Sequence, residues 1–292
     1  MEQTQDHGRG GNRLGALAML GAVGLFIVND AMIKLASEGL PAAQTIGVRG
    51  VFATIWVALA LAATGLWRKL ALALERRTLG RSVLDVGSTF TYLIALFNMP
   101  LALAVAIGQT SPLMILALSV VFLREPVAWQ RWVAVLVGFA AVLLVVRPGG
   151  EGFSWWAGLS LFATLLNASR DIYTRVIHQR VPSLVITFAT AVAVTTTGVA
   201  LIALHGWVAM SGAQWALLFG ASIFLAGAYH LTIVAMRNGE VSFVGGFRYA
   251  SLPVAALLGW LVWGHLPDGP AVAGMAIIVA AGLYLFRSGR RD

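Results

Sequence analysis

The stretch "FSWWAGLSLFATLLNASRDIYTRVIHQR" (residues 153–180) begins as an apolar run and ends as a charged one. Its first part reads as a helix buried in lipid, yet Arg170 and Asp171 follow before that helix has clearly ended. An ionisable group at membrane depth costs about 3 kcal/mol or more, so it normally faces a partner or a water-filled cavity. The stretch therefore predicts a membrane helix whose charged end borders water.

The composition of the whole chain agrees with a membrane location. Hydrophobic residues make up 59% of the 292 residues and charged residues 11%, whereas a soluble protein carries about 25% charge. The apolar residues fall in blocks of about twenty, which is the length that crosses a hydrocarbon core of about 30 Å. We predict an all-α integral membrane protein with ten spans, at residues 14–37, 42–66, 82–99, 101–122, 129–146, 155–177, 184–205, 214–235, 241–263 and 270–287.

The first apolar segment is too long for the apolar core of a signal peptide, and a second segment follows it at once, so no cleavable signal is expected. The chain has no cysteine, which excludes disulfides and thiolate metal sites.

The basic residues indicate the topology. With the N-terminus in the cytoplasm, fifteen of the 20 Lys and Arg residues fall on the cytoplasmic side, and only Lys34 and Arg147 fall outside. This asymmetry is the positive-inside pattern of membrane proteins and puts both termini in the cytoplasm. The net charge of +8 therefore reflects topology, and no nucleic-acid partner is expected.

The chain contains an internal repeat. Six pairs of residues match without gaps at an offset of 141 residues: Asp30 with Asp171, Lys34 with Arg175, Pro41 with Pro182, Gly65 with Gly206, Pro112 with Pro253 and Pro126 with Pro267. We predict a duplicated five-helix unit, at residues 1–150 and 151–292. Because five is odd, the second unit has the opposite orientation in the membrane, as in transporters that alternate access around a midplane site.

The repeated acidic and basic residues allow two interpretations. Asp30 and Lys34, like Asp171 and Arg175, are one helical turn apart and are able to form a simple ion pair, or the basic side chains extend to the interface. In the second interpretation Asp30 belongs to an outer gate and Asp171 to an inner gate, each pairing across helices in one conformational state. The sequence leaves both open.

Few other polar side chains lie within the apolar segments. Pro112 and Pro253 each remove a backbone donor, which is tolerated in lipid only beside protein or cavity water. The segments that contain them are therefore candidate cavity walls, together with the first and sixth. Candidates for substrate contact or cavity lining are Asn29, Tyr92, Gln109, Ser111, Arg170, Arg248 and Tyr249, and candidates for gating or proton coupling are Asp30, Asp171 and His230.

Each candidate has a structural alternative. Arg248 is able to pair with Asp171, and His230 to serve as a hydrogen-bonded interior residue. An enzyme is not expected, because inversion separates Asp30 from Asp171, whereas an aspartyl dyad needs carboxylates about 3 Å apart. Metal-ligand and Walker patterns do not occur in the sequence, so neither a metal nor another cofactor is expected. A passive channel and a scaffold remain alternatives.

The segment "SPLMILALSVVFLREPVAWQRWVAVLVGFAAVLLVVRPG" (residues 111–149) resembles the fourth and fifth helices of the EamA-type proteins of the drug/metabolite transporter superfamily. The resemblance depends on Glu125-Pro126, Gln130 and Gly138. Within that superfamily the chain looks most like the YddG-like exporters of aromatic and other neutral amino acids. In the second half Leu266-Pro267 replaces the Glu-Pro pair, which puts in doubt any mechanism that needs two glutamates.

The resemblance implies a multi-pass exporter of the bacterial inner membrane with a central cavity that opens alternately to each side. For an amino-acid substrate we expect Arg170 or Arg248 to bind the carboxylate, Gln109, Ser111 or Asn29 the ammonium group, and Tyr92 or Tyr249 the side chain. Proton coupling through Asp171 or His230 and facilitated exchange are both compatible with the sequence. Sugar-phosphate or nucleotide-sugar exchange is the alternative function within the superfamily.

Overall fold

The computed structural model describes residues 2–123, 129–146, 154–174, 177, 180–238 and 245–288, and the chain is helical throughout these ranges, without strands. Short segments complement the α-helices: a 3-10 helix at Leu66–Leu74, a π-helical turn at Ser119–Leu123 and a 3-10 helix at Gly245–Ala250. The α-helices are α1 Glu2–Ala36, α2 Ala42–Ala63, α3 Arg76–Phe97, α4 Leu101–Gly108, α5 Ser111–Leu118, α6 Trp129–Val146, α7 Trp155–Thr174, α8 Ser183–His205, α9 Gly212–Asn238, α10 Ser251–Trp263 and α11 Gly269–Ser288.

The helices have the character expected of a membrane protein. Within the described residues, five are long and apolar enough to cross a bilayer: Arg13–Ala36, Ala42–Ala63, Leu101–Leu118, Ser183–His205 and Gly212–Ala235. Shorter apolar helices occur at Val135–Val145 and Gly269–Tyr284. The all-helical membrane class is thus confirmed, while the count of ten spans and the cytoplasmic position of the termini stay predictions.

Two of the predicted spans are interrupted at their prolines. The segment 101–122 divides into α4 and α5 at Gln109 and Thr110, with Pro112 in the first turn of α5. In segment 241–263 the described part begins as a 3-10 helix, and α10 starts at Ser251 with Pro253 in its first turn. Proline is tolerated in a first turn because its missing N–H would have no intrahelical partner there.

Most helices are packed in pairs. α1 lies along α9, α3 along α7, α2 along α8, and α6 along α11, while α4 packs against α10. The backbones of α2 and α8 approach each other closely where two glycines face each other. A Cβ atom added to Gly198 would lie only 2.6 Å from the Cα of Gly47. Small residues permit this approach of two backbones in a membrane, where dispersion and hydrogen bonds hold helices together.

The helix ends gather at two opposite ends of the bundle. The Lys34 end contains the C-termini of α1 and α3 and the N-terminus of α2, where Gln44 exchanges hydrogen bonds with Val208 of the loop before α9. The Arg180 end contains the N-termini of α3 and α8, and there Arg180 donates to Glu75 at 2.7 Å. These two names are used below for the ends of the bundle.

Candidate functional site

A first polar cluster lies about 8–10 Å, or five to seven residues of helix, from the Lys34 end. We call Asn29, Asp30, Arg49 and Tyr92 the Asp30 cluster. The Tyr92 hydroxyl of α3 donates to Oδ2 of Asp30 on α1 at 2.8 Å. The neighbouring Asn29 donates through Nδ2 to Oδ1 at 2.9 Å. The carboxylate is thereby held by two donors at a depth where an unpaired charge is costly.

Arg49 joins this cluster from α2. Ile46, one turn earlier on the same helix face, packs in the core that contains Ile27 of α1 and Leu93 of α3. The charge of Arg49 acts electrostatically on Asp30 and on Tyr229 of α9. Arg49 therefore faces the interior between α1, α3 and α9 rather than lipid.

Two polar atoms of the Asp30 cluster lack a hydrogen-bond partner within the described part of the chain. They are Nε of Arg49, a donor, and Oδ1 of Asn29, an acceptor, and both atoms are buried. Asn29 is only 2% exposed. A buried polar atom left without a partner costs about 1–3 kcal/mol, so this arrangement is explained most simply by a ligand or water that completes it.

A second polar cluster lies nearer the Arg180 end. We call Arg81, Asp85, Asn167, Arg170 and Asp171 the Arg170 network. Arg170 on α7 donates to Oδ1 of Asp171 through Nε at 3.0 Å and Nη2 at 2.8 Å, and to Oδ1 of Asn167 at 2.7 Å. Its Nη1 also donates to Asp85 on α3. One guanidinium therefore has three acceptors and links α7 to α3.

Arg81 extends the network to α8. Its Nε donates to Thr174 at 2.9 Å and its Nη1 to Thr190 at 2.7 Å, while Asp85 lies 3.9 Å from Nη1. The side chain of Asp85 is 8% exposed, so it sits between two guanidinium groups in a buried position. Three helices are tied together here by charge-assisted hydrogen bonds, which are the stronger class.

Tyr229 of α9 lies between the two clusters. The charges of Asp85, Arg170, Arg49 and Arg81 all act on its hydroxyl, and its ring packs edge-on against Phe26 at 5.4 Å. Yet 52% of its surface is accessible. Tyr229 is thus within electrostatic range of both clusters while half of its surface stays accessible.

Lys34 at the end of α1 does not form the predicted ion pair with Asp30. Its ammonium group instead donates to the carbonyl oxygens of Leu96 at 2.6 Å, Met99 at 2.7 Å and Phe97 at 3.3 Å. These carbonyls lie at the C-terminus of α3, where the helix dipole favours a cation. The simple ion-pair interpretation is wrong for this copy, since three acceptors at the helix end already satisfy Lys34.

A pocket of about 370 Å³ opens beside Lys34. The Trp263 ring lies 5.6 Å from the ammonium nitrogen, and its Nε1 donates to Glu38 at 3.4 Å. The pocket lining consists of Lys34, Glu38, Phe97, Asn98, Met99, Pro100, Trp263 and His265.

The remaining predicted site residues lie outside the two clusters. Gln109 donates through Nε2 to Ser251 at 2.8 Å, which joins the interruption of the α4–α5 segment to the start of α10. Ser111 is half-buried beside it and Tyr249 is buried. Arg248 and His230 are exposed, and Asp171 pairs with Arg170 rather than with Arg248. Arg175 and Glu125-Pro126 lie outside the described residues.

Sequence reasoning did not select Asp85, Arg81, Arg49 or Tyr229 as site residues. Asp85 carries a signal of its own, because an acidic residue within a predicted span, here 82–99, is a functional candidate. It has no acidic counterpart in the second half of the chain, since Ala226 occupies the equivalent position at the 141-residue offset.

Comparisons with known proteins point to transport. Residues 13–147 match the EamA-like transporter family. A riboflavin transporter of Vibrio cholerae is 30% identical over 276 residues, covering 93% of this chain and 92% of the relative. A pseudopaline exporter of Pseudomonas aeruginosa is 28% identical, covering 90% and 92% of the two chains.

One further relative and one solved structure are also similar to this chain. An S-adenosylmethionine uptake transporter of Rickettsia felis is 29% identical over 66% of this chain and 65% of its own. One solved crystal structure superposes with a TM-score of 0.62 at 22% identity, covering 96% of this chain and 99% of the other, which shows a shared fold.

Proposed function

The chain belongs to the EamA-like transporter family, a multi-pass membrane family of the drug/metabolite transporter superfamily, and from this premise we propose that it exports aromatic and other neutral amino acids from bacterial cells. It acts in the inner membrane by alternating access, with the Lys34 end facing outward. The names of the relatives mention riboflavin, pseudopaline and S-adenosylmethionine rather than amino acids. The proposal of amino acids is therefore supported by the chemistry of the two polar clusters.

The observation that carries the proposal is the charge balance of the interior. Three carboxylates and three guanidiniums occupy the two clusters, with Tyr92 and Tyr229 beside them. Their net charge is zero, so a zwitterion that is itself neutral enters without changing the total charge at membrane depth, where excess charge is costly. An aromatic side chain on that zwitterion fits a surface formed by tyrosines. The charged residues of the clusters are Asp30, Asp85, Asp171, Arg49, Arg81 and Arg170.

The same balance argues against phosphorylated substrates. A phosphate group carries up to two charges and needs several free cationic donors. Arg170 and Arg81 already have acceptors from the chain, which leaves Arg49 as the unoccupied guanidinium of the two clusters. Sugar-phosphate or nucleotide-sugar exchange therefore ranks below amino-acid transport.

Alternating access is supported by the placement of the polar clusters. One cluster lies toward each end of the bundle. The Asp30 cluster joins α1, α2 and α3, and the Arg170 network joins α3 to α7 and α8 of the second half of the chain. At the 141-residue offset α1 corresponds to α7 and α3 to α9, so the packed pair α1–α9 corresponds to the packed pair α7–α3. Thr54 and Thr195, which are equivalent at that offset, share a hydrogen bond of 3.0 Å. This pattern favours the proposed inverted units, 1–150 and 151–292, related by an axis through the α2–α8 contact.

A second candidate substrate is a planar heterocycle with a polar chain. Relatives over nine-tenths of the chain include a riboflavin transporter, and the aromatic residues Trp56, Phe219 and Phe52 of α2 and α9 stand in contact with one another. Such aromatic rings are able to stack on flat ligands. Riboflavin is therefore the comparison substrate in the transport assay described next.

The test is transport by the purified protein in proteoliposomes. Vesicles loaded with unlabelled tryptophan are diluted into labelled tryptophan, and counterflow is measured against protein-free vesicles. We expect saturable accumulation that phenylalanine, methionine and threonine reduce by competition. Saturable exchange of riboflavin without any of tryptophan would replace the amino-acid assignment by the heterocycle, and exchange of sugar phosphates alone would replace it by the exchanger.

A pH gradient in the same vesicles separates coupling from facilitated exchange. Faster uptake with an imposed gradient, lost in Asp171→Asn but kept in His230→Gln, would assign the coupling to the Arg170 network. Equal rates with and without the gradient indicate exchange, in which neither residue carries a proton.

A further inference from the structure

We propose that the Asp30 cluster is the subsite for the amino-acid head group, with Arg49 binding the α-carboxylate and Asn29 and Asp30 binding the α-ammonium group. This inference rests on the proposed transport of amino acids and names the residues that recognise the common part of all such substrates. Arg49 is thereby a specificity-determining residue.

The inference begins with the two unused atoms of the cluster. Nε of Arg49 is a buried donor and Oδ1 of Asn29 a buried acceptor, neither with a partner in the ranges that the structure describes. A free α-amino acid offers the complement of this pair, since its carboxylate accepts hydrogen bonds and its ammonium group donates them. One ligand with both groups on one carbon atom satisfies both atoms at once.

Arg49 is suited to the carboxylate because no acidic side chain neutralises it directly. Among the described residues it forms no ion pair within 4.0 Å and no hydrogen bond, although Asp30 and Tyr229 lie within electrostatic range. The planar guanidinium group presents two parallel N–H donors to a carboxylate, which adds geometric selectivity to charge. An arginine held at this depth without a direct partner is explained by a ligand that supplies one.

The Arg170 network does not offer such a site. All three nitrogens of the Arg170 guanidinium already donate to Asp85, Asn167 or Asp171. A substrate carboxylate would have to displace an aspartate there. The carboxylate role predicted for Arg170 is therefore assigned to Arg49.

Asp30 and Asn29 are suited to the ammonium group. Each oxygen of the Asp30 carboxylate has accepted one hydrogen bond, from Tyr92 or Asn29, and each has a further lone pair available. Together with Oδ1 of Asn29 they give a cation two kinds of acceptor. Tyr92 fixes the orientation of this carboxylate, so it acts as a positioning residue.

The substrate side chain then points toward the tyrosine on α9. Asp30 and the half-accessible Tyr229 both lie within electrostatic range of Arg49, so in this proposal a ligand anchored at Arg49 has the ring of Tyr229 as its nearest candidate contact on α9. An aromatic side chain contacts that ring by edge or face. The arrangement accounts for recognition of the head group by charge and of the side chain by shape.

The experiment compares head-group analogues in the proteoliposome assay. Competition with labelled tryptophan is measured for unlabelled tryptophan, for tryptamine, which lacks the carboxylate, and for N-acetyltryptophan, which lacks the ammonium group. With the wild type we expect each analogue to compete about 10- to 100-fold more weakly than tryptophan, as loss of a hydrogen bond to a charged group predicts.

The deciding variant is Arg49→Gln. We expect KM for tryptophan to rise about 10- to 100-fold while competition by tryptamine stays as in the wild type, so that the preference for tryptophan over tryptamine disappears. Arg49→Lys keeps the charge without the paired donors and is expected to give an intermediate loss. Arg68→Gln removes an exposed arginine from the Leu66–Leu74 segment and is the matched control, with wild-type transport expected.

The outcomes separate this inference from the proposed function. Saturable tryptophan transport by Arg49→Gln with the preference over tryptamine intact overturns the head-group site and leaves amino-acid transport standing. No saturable transport of any amino acid by the wild type overturns both. If Arg49→Gln does not elute as a folded protein, Arg49→Lys decides: reduced preference supports the site, and wild-type preference overturns it.

Discussion

The Asp30 cluster and the Arg170 network are built from the same kinds of side chain but use them differently. In the Arg170 network each arginine has acceptors from other helices, and α3, α7 and α8 are tied together. In the Asp30 cluster Arg49 has no direct partner within the described residues, and an amide oxygen is also unused. Asn29 and Arg170 are equivalent positions of the two repeats, since they are 141 residues apart.

This difference shows how buried charge serves two purposes in one bundle. An arginine with three acceptors is part of the scaffold, because its removal leaves carboxylates without a cation. An arginine without acceptors adds little to the scaffold and is available to a ligand. Variants that remove one group at a time should therefore affect stability in one cluster and selectivity in the other.

The largest expected effect on stability comes from Arg170→Met. The change leaves Asp171 without its guanidinium and leaves Asp85 only Arg81, 3.9 Å away. Breaking a buried ion pair by removing one partner costs about 3–5 kcal/mol. We expect the free energy of unfolding in detergent to fall by about that amount. A loss below about 1 kcal/mol would show that the Arg170 network does not hold the helices.

The double variant Asp85→Asn, Arg170→Gln sharpens the same comparison. It removes the buried carboxylate together with its cation, while Asp171 has a side chain that is 41% exposed and tolerates the loss better. We expect the double variant to be more stable than Arg170→Met, because the buried Asp85 carboxylate, which has lost its closer cation in Arg170→Met, is itself removed. Equal losses in the two variants would mean that packing rather than charge is responsible.

Tyr92→Phe is expected to have an intermediate effect. It removes one of the two donors to Asp30, and a hydrogen bond to a charged group contributes about 1.5–3 kcal/mol. Because Asn29 still donates to the same carboxylate, we expect a loss near the lower bound, measured by the same unfolding assay. A loss as large as that of Arg170→Met would contradict the distinction between the two clusters.

Thr190→Val is expected to have the smallest effect. The hydroxyl of Thr190 accepts one bond from Arg81, and polar contacts between membrane helices average about 0.6 kcal/mol. Thr187→Val, whose hydroxyl bonds only within its own helix, is the control with no measurable loss expected. A difference above about 2 kcal/mol between the two would show a stronger role for Arg81 than the network suggests.

Much of the fold follows from the sequence. Blocks of apolar residues predict the positions of the helices, and Pro112 and Pro253 lie in the first turns of α5 and α10, just after the interruptions of the α4–α5 and Gly245–Trp263 segments. The apolar block predicts a span at 82–99, and the helix that contains it, α3, begins earlier, at Arg76. The first turns of α3 are basic and polar but still helical, because a helix is able to begin before its apolar part does.

The candidate site follows less completely, because helix facing depends on contacts between distant residues. Asp30 and Lys34 are one turn apart, yet Lys34 donates to carbonyls 62–65 residues away and Asp30 accepts from Tyr92. Likewise Asp85 becomes part of the site only through Arg170, 85 residues later. Local spacing gives the pairs that are able to form, whereas tertiary packing decides which of them do.

The most direct test of the distinction between the clusters is thermal unfolding of purified Arg49→Gln with and without tryptophan. We predict that without tryptophan this variant unfolds close to the wild-type temperature, because Arg49 has no direct hydrogen-bond partner among the described residues and its loss weakens only a longer-range interaction with Asp30. We also predict that a tryptophan concentration of 100 times the wild-type Kd, which stabilises the wild type by about 2.7 kcal/mol, stabilises the variant by only about 0.4–1.4 kcal/mol, because its Kd is expected to be 10- to 100-fold higher. Unfolding of the ligand-free variant as far below the wild type as Arg170→Met, or a wild-type response to tryptophan, would contradict the account.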